Sequence, residues 1–138
     1  MVPVKSTADS ESGTLPSSDL LEAMVRYNEQ LVEAGIMLVA GERLQPSSKG
    51  KRVAFDGPSR IVSEGPFAAT GELVAGFWIW QVADMDKAVA WVKRCPNPMP
   101  GPSEIEIRPL YELADFQDAM TPEIAELNDR NREKVGGH

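Results

Sequence analysis

Glu64 is the side chain of this sequence best placed to do chemistry. It stands before Gly65-Pro66-Phe67, where the chain must turn sharply. A carboxylate carried on such a turn into a partly buried pocket has its pKa raised toward the range useful for general acid-base work. The same carboxylate can instead accept hydrogen bonds from turn amides, because perturbed carboxylates gather at turns as well as at sites. Arg43 and Arg52 are the cations that would complete a catalytic set, since an arginine beside a dry pocket holds a carboxylate or enolate through paired N–H donors. With Glu42 and Glu72 they would otherwise form surface or interface ion pairs, which are individually weak. Phe67, Trp78 and Trp80 would shape a ligand pocket, the indoles offering ring faces and N–H donors between two sheets, or would simply pack. Glu106 and Arg108, with Glu104, share one face of a late alternating segment. There they would bracket a polar ligand, or serve as the charged rim that protects an edge strand.

What the chain lacks narrows the chemistry further. Its sole histidine is His138, the last residue, so nucleophilic systems that need a packed imidazole are excluded within one chain. Zinc sites of His and Cys, and His-ligated haem, are excluded for the same reason. Cys95 is the single cysteine and has neither a disulfide partner nor a histidine to activate it. Glu64 and Glu72 lack any recognised spacing for a hard cation, so neither metal nor cofactor is expected. A net charge of −7 argues against a nucleic-acid partner, because phosphate binding rests on clustered Lys and Arg. The small basic group Lys49, Lys51 and Arg52 reads as a solvated loop. No apolar run approaches a bilayer span of about 20 residues. The N-terminal MVPVKSTADSES has no apolar signal core, which predicts a cytoplasmic location.

The elements that must position these residues follow from local pattern. At 138 residues the chain is expected to form one domain, 1–138, opening with a strand and loop over 1–16 and closing with a helical tail over 114–138. Met1–Lys5 reads as a first strand, awkward in a central position because Pro3 cannot donate to a ladder. Residues 6–16 read as turn. Ser17, Ser18 and Asp19 offer an N-cap, Leu20, Met24, Tyr27 and Leu31 form one apolar stripe, and Gly35 stops the helix. Ile36–Leu44 is a strand. Lys51–Phe55 and Arg60–Ser63 form a hairpin across Asp56-Gly57-Pro58-Ser59.

Ala75–Val82 is the most apolar strand, with Phe77 and Ile79 on one face and Trp78, Trp80 and Val82 on the other. A helix over 84–95 begins at Asp84, with Met85, Ala88, Val89 and Val92 as its buried side. Ser103–Tyr111 alternates as a last strand. Thr121-Pro122-Glu123 starts a final helix that ends by Gly136 and Gly137.

With the hairpin set aside, this order is the βαββαβ pattern of a ferredoxin-like α+β sheet with two helices on one face. The aromatic strand is apolar on both faces, so the uncovered face needs a second layer, most economically another copy of the chain. A homodimer with facing sheets is expected.

Seven segments of the chain form a set: Thr7-Ala8-Asp9-Ser10-Glu11, Tyr27-Asn28-Glu29, Gln45-Pro46-Ser47-Ser48-Lys49-Gly50, Glu64-Gly65-Pro66-Phe67-Ala68, Gly76-Phe77-Trp78-Ile79-Trp80-Gln81-Val82, Lys93-Arg94-Cys95-Pro96-Asn97-Pro98 and Glu104-Ile105-Glu106-Ile107-Arg108-Pro109. Together they resemble the YCII-related family, in particular its DGPF branch. The resemblance implies a dimeric α+β barrel, and relatives that look like small cofactor-free lyases or isomerases. Glu64 stands where the family motif has aspartate, and Ala69-Thr70-Gly71-Glu72 stands where relatives tend to read Glu-Thr-Lys-Glu.

Two functions are therefore expected. One is a cofactor-independent enzyme that shifts a proton on an apolar or aromatic oxygenated small molecule held between sheet and helices. In it Glu64 would be acid or base, and Arg43 or Arg52 would stabilise negative charge. The other is a non-catalytic homodimeric module for a ligand or protein partner.

Overall fold

The strand-forming segments of the sequence assemble in the order that a ferredoxin-like sheet requires. The computed structural model describes residues 1–136, the side chain of Ala40 excepted. His138 and the second trailing glycine, Gly137, lie outside the described residues. Two compact units are present, Met1–Arg108 and the residues from Pro109 onward.

In the first unit, β1 (Val2–Lys5), β5 (Val74–Trp80) and β2 (Met37–Arg43) form an antiparallel sheet in the order β1-β5-β2. The predicted last strand lies along the free edge of β1. Lys5 donates its N–H to the Glu104 carbonyl at 3.0 Å, Glu106 donates to Pro3 at 2.9 Å, and Arg108 donates to Met1 at 2.9 Å. The pairing Val4–Ile105 is nevertheless a single bridge and not a ladder. Pro3 is the physical reason, because the next antiparallel bond would run from the N–H that proline lacks. Counting this segment, the four strands follow the spatial order expected of βαββαβ. The result is a mixed α+β architecture compatible with a ferredoxin-like fold.

The helices cover one face. α2 (Ser18–Glu33) is capped by Ser17, whose hydroxyl accepts from the Leu20 N–H at 3.2 Å, so Ser17 and not Asp19 fills the cap position. α3 (Met85–Lys93) starts at the Asp84 cap, as its sequence predicts. Tyr27 and Leu31 of α2 and Ala88 of α3 are buried with Val2, Val4, Trp78 and Trp80. The buried side of α3 is rotated from the expected one: Trp91 and Val92 pack against the core, while Met85 and Val89 are exposed.

Residues 6–16 are not all turn. Thr7 caps a short helix α1 (Ala8–Glu11) in a reciprocal bond with Ser10. The excursion between β2 and β5 is a separate hairpin, β3 (Lys51–Asp56) paired with β4 (Ser59–Glu64), every residue of it exposed. In the second unit, α4 (Pro122–Val135) has the expected Thr121 cap, proline start and left-handed Gly136 stop. No helix among the described residues is long and apolar enough to cross a membrane.

Candidate functional site

Alternation along β5 decides which residues can meet a ligand. Trp78 and Trp80 are 3% and 9% exposed and lie on the helix-covered face, forming an aromatic core with Tyr27 at centroid distances of 5.8–6.5 Å. The expectation that both indoles line a space between two sheets is corrected by this placement. Trp78 borders a cavity, and that cavity lies between α2 and the sheet.

The cavity has a volume of about 190 Å³. Leu20, Leu21 and Met24 of α2 form its roof, Val4, Ala75 and Trp78 its sheet side, and Pro98 and Met99 its far wall. The apolar stripe of α2 thus divides its work. Its first half (Leu20, Met24) lines the cavity, and its second half (Tyr27, Leu31) fills the core. Asn28 and Gly41 are also in the lining. Asn28 Oδ1 accepts from Trp78 Nε1 at 2.9 Å, which satisfies the indole and holds its ring edge against β2. Gly41 permits that approach, since a Cβ there would lie 2.5 Å from Trp78 Nε1.

Arg43 is the cation of this site. It pairs with Gly76 in the sheet register and so shares the helix-covered face with Trp78. It lines this cavity and also an adjoining chamber of about 280 Å³, which shares Pro16, Leu20, Pro98 and Met99. Its guanidinium makes no hydrogen bond or ion pair among the described residues. An arginine left unpaired on an apolar wall offers a planar fork of donors to an oxyanion.

The other candidates are dispersed. Glu42 pairs with Phe77 in the register, on the opposite face of the sheet from Arg43, yet both Glu42 and Phe77 also border the cavity. Glu104, Glu106 and Arg108 are exposed, and the register places them on that same face beside Lys5, Pro3 and Met1. Glu72 is exposed in the turn before β5; its N–H donates to the Ala69 carbonyl at 2.8 Å and its carbonyl accepts from Lys5 Nζ at 3.3 Å, while its carboxylate has no partner among the described residues. Glu64 ends β4 with its side chain 77% exposed and paired with Lys51 Nζ at 3.1 Å. It lines neither chamber. Arg52 lies 4.0 Å over the ring of Phe67.

The segment around Glu64 has a structural neighbour that its own sequence does not announce. Glu11 of α1 accepts the Ser47 N–H at 3.0 Å on one carboxylate oxygen and the Ser47 hydroxyl on the other. Ser47 Oγ in turn accepts the Phe67 N–H at 3.1 Å. Gly65 donates to Gly50 at 3.0 Å, and a Cβ on Gly65 would collide with the Ser47 carbonyl. Three motif segments far apart in sequence are thus clasped into one loop cluster, with Glu11 and Ser47 at its centre. Sequence reading passed over both, along with Asn28 and Met99. The signal available was that Glu11 and Ser47 fall inside the quoted motif segments while having no apolar face to fill.

Burial acts on two further groups. Cys95 is pushed up to about 11 by desolvation. Tyr27 is raised above the ordinary phenol range, chiefly by burial and then by the neighbouring Cys95, and its hydroxyl donates to the Trp91 carbonyl at 2.6 Å. Neither lines the cavity.

Comparison with known proteins bears on the family. A stretch of 79 residues is 34% identical to an uncharacterised protein of Rhizobium meliloti (strain 1021), covering 57% of this chain and 63% of that protein. The chain therefore spans somewhat less than two thirds of that relative. The family model of the YCII-related domain matches residues 4–114, which takes in the sheet, both covering helices and the clasped loops, and on that match the chain belongs to the YCII-related family.

Proposed function

We propose that this protein is a homodimeric binding module whose ligand is a small apolar or aromatic acid held between α2 and the sheet. The observation that carries this reading is Arg43, unpaired on the wall of an apolar cavity of about 190 Å³. For scale, an apolar cavity of about 150 Å³ accommodates benzene. The ring of the ligand would sit against Trp78 and Met24 while its carboxylate pairs with Arg43. Arg43 is exposed, and its planar fork of donors is open to such a charge-assisted pair.

Carboxylate acid-base catalysis has less support than binding. Glu64 is solvated on the hairpin and engaged with Lys51, so nothing holds its carboxylate near a ligand in that cavity. The dimeric part of the reading is favoured by the uncovered sheet face. Rows Met1-Ile79-Val39 and Pro3-Phe77 form an apolar centre there, with Glu106 and Arg108 at one edge and Glu42 at the other. A two-fold copy would bury that centre and set the charged edges of the two sheets against each other, closing a dimeric α+β barrel.

Titration calorimetry with 3-phenylpropionate tests the binding reading. The expected outcome is saturable binding by the wild type and about tenfold weaker binding by Arg43→Gln. Equal affinity in the two proteins would remove Arg43 from the site, and no binding to either would end the reading. For the assembly, light scattering should report a dimer for the wild type and a monomer for Phe77→Asp. A monomeric wild type would dismiss the barrel.

A further inference from the structure

The chamber beside the apolar cavity has a composition that a simple apolar acid would leave unused. Its walls include Asp9 of α1, together with Ser10, Thr14 and Ser17, and it shares Arg43 with the apolar side. Ser10 is occupied with Thr7, Thr14 with Ser12, and Ser17 with the Leu20 N–H. The side chains of Asp9 and Arg43 have no hydrogen-bond or ion-pair partner among the described residues, and they are not paired with each other. Asp9 and Arg43, an exposed anion and an exposed cation, therefore border a common space that opens onto the apolar pocket, whose own lining adds Glu42.

From this juxtaposition we infer that the ligand is a zwitterion, a free α-amino acid with an aromatic or branched apolar side chain. Its carboxylate lies on Arg43, its ammonium on Asp9, and its side chain in the cavity under α2. Each ionic group of such a ligand meets an opposite charge that the fold leaves open. A purely anionic ligand would leave Asp9 as a nearby repulsive charge, so the pair also discriminates against the acid that lacks the amine. This inference rests on the reading of Arg43 and the apolar cavity as a binding site, and it adds the second charge.

The test is titration calorimetry on the full chain with L-phenylalanine, 3-phenylpropionate and 2-phenylethylamine, three probes that share one ring and differ in their charges. L-phenylalanine should bind about tenfold or more tightly than 3-phenylpropionate, the worth of one charge-assisted hydrogen bond. Asp9→Asn should erase that preference, and Arg43→Gln should erase the preference of L-phenylalanine over 2-phenylethylamine. Asp9 is on an exposed helix and outside the Thr7–Ser10 cap, so its variant is expected to fold. If 3-phenylpropionate binds the wild type as well as L-phenylalanine does, the zwitterion assignment is wrong while the acid-binding site stands. A preference for L-phenylalanine that survives Asp9→Asn also overturns the assignment. Failure of all three probes to bind overturns both readings.

Discussion

Trp78 Nε1 donates to Asn28 Oδ1 at 2.9 Å, joining the central strand to α2 at the inner end of the candidate cavity. Trp80, two residues along the same face and also buried, has no partner for its own indole N–H among the described residues. The two tryptophans therefore differ in what their polar atoms contribute. Asn28→Ala should cost about 1–3 kcal/mol, because it strands a buried donor. Trp78→Phe should cost more than Trp80→Phe, since only the former gives up a satisfied hydrogen bond. Urea unfolding of the three variants checks the order.

Gly41 lies where a Cβ would reach 2.5 Å from Trp78 Nε1 and 2.9 Å from its neighbouring ring carbon. Gly41→Ala should push the indole off Asn28 and cost about 1–3 kcal/mol, the usual range for overpacking. It should also weaken any ligand bound against Trp78. Gly71→Ala is the control, because nothing lies within 4 Å of its would-be Cβ, and it should fall within about 0.5 kcal/mol of wild type. Thermal melts of the pair separate a local clash from a general intolerance of added volume.

Ser47 is the centre of the clasp between α1 and the loop after β4. Ser47→Ala removes the hydroxyl shared by Glu11 and the Phe67 N–H, leaving Glu11 only the Ser47 backbone N–H, at a cost of about 1–3 kcal/mol. Hydrogen exchange should show faster exchange at Phe67, while Leu31 and Trp78 in the core keep their protection. Unchanged exchange at Phe67 would show that the clasp is not what holds this loop.

Cys95 and Tyr27 make stability fall in alkali. For both, burial raises the pKa of an acid whose charged form is the deprotonated one. Their stabilising contribution is present in full below the ordinary thiol and phenol values, and it is lost as pH rises through the folded-state values, about 11 for Cys95. Stability should decline progressively above about pH 9, with Cys95 accounting for up to roughly 3 kcal/mol. Cys95→Ala should flatten the decline. Labelling of Cys95 by a thiol reagent at pH 8 should be much slower in the folded protein than in denaturant.

How much of this was legible beforehand depends on whether the information was local. The Tyr27–Leu31 stripe, the Asp84 cap, the Thr121-Pro122 start and the opposite facing of Phe77 and Trp78 are all set by neighbours within a turn or two. Periodicity and capping chemistry therefore revealed them directly. Family membership was legible too, because the motif segments were on the chain.

What only the tertiary structure decided is which side chains share a space. Glu64 and Arg43 are equally plausible on composition, but the hairpin carries Glu64 into solvent while the β2 register turns Arg43 toward α2. Bulges in that register, between Met37 and Val39 and between Val39 and Glu42, set the facing of Glu42 and Arg43, and simple alternation could not anticipate them. Asp9 and Arg43 meet at one chamber, and Glu11 and Ser47 at one clasp, across more than thirty residues of chain in each case. Sequence pattern reports the face of an element; what stands opposite that face is settled by long-range packing.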